Sequence, residues 1–178
     1  MGSAIRVWVA VLVSLLVVSG SARAQAPIGA GCDHPDEPRT VRLLATEMTC
    51  MINDVREARD LRRLRVHPQL RRSATSYARR LVRERAWTHF ADGSPAVRVH
   101  RSGYLEGSRR WMIGEVLGSM RWWDPAGVVR AFLDSPSHRR VLLRPGYRDI
   151  GVGAAEGLAE SGSPGGYSLA VNLGERRD

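Results

Sequence analysis

Two histidines and one glutamate are the side chains in this sequence best suited to chemistry: His89 in T-H-F (88–90), Glu115 after Gly114, and His138 in S-P-S-H-R (135–139). Imidazole and carboxylate ligands suit a divalent ion, with zinc the first choice, and three of them leave a fourth position for water or a ligand. No local motif such as H-E-x-x-H links them, so only the fold can bring them together.

Each of the three has a local setting. Ser135 and Pro136 predict a helix start, Ser as the cap and Pro at the first helical position. His138 then falls at the third position, beside free N–H groups and the positive end of the helix dipole, which disfavours protonation. Glu115 sits in the apolar run Trp111 to Leu117, read as a buried strand, where a carboxylate needs a partner. Serine hydrolysis by Ser135 or Ser137 with His138 is a poor fit. There is no G-x-S-x-G elbow, and neighbours at a helix start do not face each other as nucleophile and base.

The elements that must position these groups follow from apolar spacing. A first helix is expected from about Thr40 to Arg59, with Leu44, Met48, Met51, Ile52 and Val55 as its stripe. After a connector over Leu61 to Val66, Pro68 opens a second helix to about Arg85. Leu70, Ala74, Tyr77, Ala78 and Leu81 are its buried side, and Arg72, Arg79 and Arg83 lie opposite. Asp92 to Pro95 is a turn before a short helix from Ala96 to Arg101, and Asp124-Pro125 starts the helix that leads into the His138 stretch. Ile150 to Ala155 and Tyr167 to Leu173 read as a strand hairpin. Helices first and strands late predict an α+β fold with an antiparallel sheet.

Residues 1–24 have the pattern of a signal peptide: Arg6, an apolar run from Val7 to Val18, and Ala22-Arg23-Ala24 as a cleavage site. That run is short of the ~20 residues a membrane-spanning helix needs, and no later segment is apolar enough to span. Export permits Cys32 and Cys50, the only cysteines, to pair. Residues 25–39 are expected to form a loose arm tied down by that bond.

All 27 basic residues are Arg. Without Arg6 and Arg23 of the leader, 25 basic and 18 acidic side chains remain, a surplus that favours an anionic envelope polymer or lipid as partner. Nucleic acid is excluded by export.

The order of the pieces resembles the bacterial branch of the CAP superfamily, whose domain is also called SCP: the cysteine-rich secretory proteins, antigen five and pathogenesis-related 1 proteins. The segments are Ile52 to Leu64, T-H-F, D-G-S-P (92–95) with Gly103-Tyr104, G-E (114, 115), S-P-S-H-R, Gly151-Val152-Gly153 and the strand Tyr167 to Gly174. The likeness covers residues 40–174 and leaves 175–178 as a tail. It implies a three-layer α-β-α sandwich with a central antiparallel sheet, secretion, and a cleft lined by His89, Glu115 and His138 that in some members holds a divalent ion. The sequence departs from the family pattern at Val116, Phe132 and Val141, where Asn, Trp and Asn are usual. The resulting expectation is a secreted, monomeric binding module acting at the envelope, with no catalytic residue assigned; the alternative is a metal-dependent, protease-like hydrolase using the same cleft.

Overall fold

The computed structural model describes residues 28–177; the signal peptide expected at 1–24 lies outside them. Four helices open with Pro at the first turn, and most starts are capped by a side chain as the sequence suggests. In α1 (Val41–Glu57) Thr40 accepts from the Leu43 N–H at 3.1 Å, and in α2 (Pro68–Glu84) His67 Nδ1 accepts from the Gln69 N–H at 3.3 Å. Short α3 (Pro95–Arg101) is capped by Ser94, and α4 (Pro125–Asp134) by Asp124. Helix α5 (Pro136–Leu142) differs. Ser135 occupies the cap position but makes no cap bond, its hydroxyl lying 3.1 Å from that of Ser137.

The strands β1 (Arg65–Val66), β2 (Arg110–Met120), β3 (Asp149–Glu156) and β4 (Tyr167–Arg177) form one sheet in the order β1-β3-β4-β2. The β3-β4-β2 part is antiparallel throughout. Two residues of the expected connector add a parallel edge, Arg65 opposite Asp149 and Val66 opposite Ile150, which makes the sheet mixed. Strand β2 is longer at both ends than the expected Trp111 to Leu117, and β4 runs on through residues 175–177, expected as a tail.

Alternation along the strands sends side chains to two helical layers. Val116, Val152 and Val171 join the stripe of α1 and the inner sides of α4 and α5 in the larger core. Leu117 and Ala170 pack instead on Ala74, Tyr77 and Leu81 of α2. This is the expected α-β-α sandwich. Both predicted stripes are buried, none of their members more than 5% exposed. Helix α2 lies unusually close to β3, because Gly151 and Gly153 have no side chain to separate them. A Cβ at Gly153 would collide with the backbone N of Thr75, and one at Gly151 with that of Arg71.

Cys32 and Cys50 form the expected disulfide. Cys32 is 1% exposed and belongs to the larger core, so that part of the arm is packed as well as tied. On the same side, fully buried Arg56 of α1 donates to the carbonyls of Leu142 at 2.7 Å and Arg144 at 3.2 Å. It thereby satisfies carbonyls that the end of α5 would otherwise leave open.

Candidate functional site

Glu115 is the middle of β2, paired opposite Asn172 of β4, and its side chain is 1% exposed. An isolated carboxylate buried to this degree would be costly. The partner is Arg98 of α3, 5% exposed, one of whose terminal nitrogens donates to both carboxylate oxygens at 2.8 and 2.7 Å. The other terminal nitrogen of Arg98 holds the chain around His89. It donates to the carbonyls of His89 at 3.0 Å and Gly93 at 2.7 Å, and to Asp92 Oδ1 at 3.2 Å. The guanidinium lies 3.3 Å above the ring centroid of Tyr77, adding a cation–π contact.

Tyr77 fixes the same loop from α2. Its hydroxyl donates to the Thr88 carbonyl and accepts from the Ala91 N–H at 3.2 Å, so the bonds clasp His89 from both sides. The imidazole, 37% exposed, bonds through Nδ1 to Glu115 Oε1 at 2.8 Å. With the carboxylate as acceptor, Nδ1 carries a proton, and Nε2 is the ring nitrogen that Glu115 leaves unengaged. Trp87 and Phe90, on either side of His89 in sequence, are 40% and 67% exposed.

His138 belongs to the other helical layer. It packs edge-on against Phe132, ring centroids 5.4 Å apart. Its pKa is lowered, first by burial and then by the charge of His89. The predicted direction therefore holds, while its leading cause is burial and not the helix terminus. The helix of His138 packs on β2, an edge strand of the sheet, with Val141 against Gly114, the neighbour of Glu115.

The structure thus joins His89 to Glu115 directly, while His138 stands on α5 against Phe132 and makes no hydrogen bond to either. Among the described residues, the only group of three His, Cys, Asp or Glu with ligand atoms within 4.8 Å of one another is Cys32, Cys50 and Asp54, whose cysteines are disulfide-bonded. His89, Glu115 and His138 do not meet that spacing, and Arg98 already takes both oxygens of Glu115. As arranged, these residues do not fit a divalent ion: the ion would have to displace a buried guanidinium or stand beside it.

Sequence reasoning passed over Arg98 and read Tyr77 as core alone. The need for a cation near Glu115 was legible, but not which of 27 arginines would meet it.

The sequence profile of the cysteine-rich secretory protein family, CAP, matches residues 50–166, a span that includes all three site residues. The chain belongs to the CAP family. Solved structures share the CAP fold at low identity. An outer surface protein from Borrelia burgdorferi superposes with a TM-score of 0.65 at 23% identity, over 79% of this chain and 98% of that one. An extracellular SCP-domain protein from Bacillus anthracis gives 0.62 at 18% identity, and a cysteine-rich secretory protein from Staphylococcus aureus 0.57 at 13%. These cover 77% and 79% of this chain but 44% and 42% of theirs, so this chain spans less than half of either. No curated protein matches significantly in sequence.

Proposed function

We propose that this CAP domain is an exported binding module of the cell envelope, and that its cleft takes a small polar or amphipathic ligand without a resident metal. The observation that carries the reading is the locked carboxylate. With Arg98 on both oxygens, Glu115 orients His89 and offers little to an ion or a water, so the surface here presents the His89 imidazole and the exposed Trp87 and Phe90. A hydrogen-bonding site edged by aromatic rings is a recognition surface.

Export is supported by the leader pattern, by the disulfide, which belongs to oxidising compartments, and by relatives described as an outer surface protein and an extracellular protein. The surplus of arginine favours anionic envelope material.

The hydrolase reading retains one supporting observation, the Glu115–His89 pair, which is how an oriented general base is built. Among the described residues, however, no hydroxyl or thiol bonds to His89 to serve as nucleophile. The test is thermal melting of the secreted domain with phosphatidylglycerol vesicles or purified cell-wall polymer, alongside casein hydrolysis. Binding predicts a raised melting temperature that His89→Ala abolishes, with no proteolysis. Casein cleavage lost in His89→Ala would establish the hydrolase instead.

A further inference from the structure

Away from the cleft, the outer edge of β3 is largely unpaired. Strand β1 covers only Asp149 and Ile150, and β3 continues to Glu156 with no further partner on that side among the described residues. Ile150 directs its carbonyl outward, accepting from the His67 N–H at 2.9 Å. Outward-facing groups alternate along a strand, so Val152 and Ala154 present their N–H and C=O to the same open side.

Helices α1 and α2 rise on either side and make this edge the floor of a trough. One part, about 670 Å³, has Val66, Val152, Gly153 and Ala154 along its base; a second, about 350 Å³, continues from Ala154 to Glu156. The two share Val41, Arg79 and Ala154, so they form one elongated depression. Its walls carry Arg42, Arg63, Arg71, Arg79 and Arg83, against Glu156 at the far end. Arg63 and Arg83 are paired with acids outside the trough. Among the described residues, Arg42, Arg71 and Arg79 have no carboxylate within 4.0 Å.

An unpaired strand edge is a template for another strand, and proteins usually guard such edges with charge on the strand itself. Here β3 is uncharged from Ile150 to Ala155, and the arginines stand on the flanking helices. We infer that the trough docks an extended acidic segment of a protein partner by strand addition to β3. Its backbone would pair with Val152 and Ala154, apolar side chains on one face would lie against Val41 and Ala45 of α1, and acidic ones on the other face would meet Arg71 and Arg79 of α2. A phosphate polymer would answer the charge but leave the strand edge unused, which is why the peptide is the better occupant.

The test uses the disulfide-intact secreted domain and the probe acetyl-Val-Glu-Val-Glu-Val-Glu-amide, followed by amide NMR and hydrogen exchange. Binding should slow exchange at Val152 and Ala154, weaken roughly tenfold in the double variant Arg71→Gln, Arg79→Gln, and vanish when alternate probe amides are N-methylated. His89→Ala should bind the probe unchanged. Indifference to N-methylation, displacement of the probe by polyphosphate without protection of those amides, or no binding at millimolar probe would each overturn the proposal.

Discussion

Arg98 and Glu115 form a buried ion pair, 5% and 1% exposed, in which a single guanidinium nitrogen reaches both carboxylate oxygens. Burying either charge alone would be unfavourable; together they fix α3 to β2 and leave the remaining nitrogen of Arg98 to shape the His89 loop.

Breaking that pair from one side should therefore be severe. Arg98→Met is expected to cost about 3–5 kcal/mol by stranding Glu115, and the double variant Arg98→Met, Glu115→Gln to recover much of it. Urea denaturation of the four proteins of the cycle measures this. Additive losses would mean that the two residues act independently.

Tyr77→Phe removes one hydroxyl and two hydrogen bonds while keeping the ring under Arg98. A loss of about 1–3 kcal/mol is expected, with faster amide exchange at Ala91 and little change within α2. Uniformly faster exchange across α2 would mean the hydroxyl supports the helix and not the loop.

His138 and His67 are both held below the ordinary histidine value, in each case first by burial. As pH falls below the usual value of 6.5, the unfolded chain takes up protons that the folded chain still refuses. Stability should accordingly decline with falling pH below about 6.5 and level off only beneath the folded values. His138→Gln should flatten the slope below about pH 6.5. An unaltered slope would exclude His138 as a contributor.

Reduction of Cys32–Cys50 should lower stability by about 3 kcal/mol, from the loop entropy regained by the unfolded chain. Because Cys32 is also packed in the core, Cys32→Ser should cost more than reduction. Equal losses would make the bond a tether alone.

Zinc titrated into the wild-type domain should give no saturable heat at micromolar concentration, since Arg98 occupies both oxygens of Glu115. A saturable isotherm that disappears in His138→Ala would restore a three-residue metal centre.

The helices were legible because burying a helix imposes a spacing on apolar residues, and Leu44 to Val55 and Leu70 to Leu81 keep it. Strand β1 was not, because both of its residues are exposed and two residues carry no alternation. His89, Glu115 and His138 stood out by type, and Glu115 by its apolar neighbours. What the sequence could not supply was the pairing: Arg98 and Arg56 are buried by contacts with residues distant in the chain, and beside so many solvated arginines neither has a local mark. Ser135 takes the cap position without a cap bond, its hydroxyl lying against that of Ser137.

The glycines that seat α2 backbone-to-backbone on β3 also bear on kinetics. Packed elements slide when interdigitated side chains exchange one arrangement for another, and beneath α2 at Gly151 and Gly153 there are none to exchange. Tyr77 stands on that helix, so the loop it clasps meets every ligand already shaped. Capture by the cleft should then be a single second-order step, its observed rate climbing linearly with ligand concentration and never reaching the plateau that a gating step would impose.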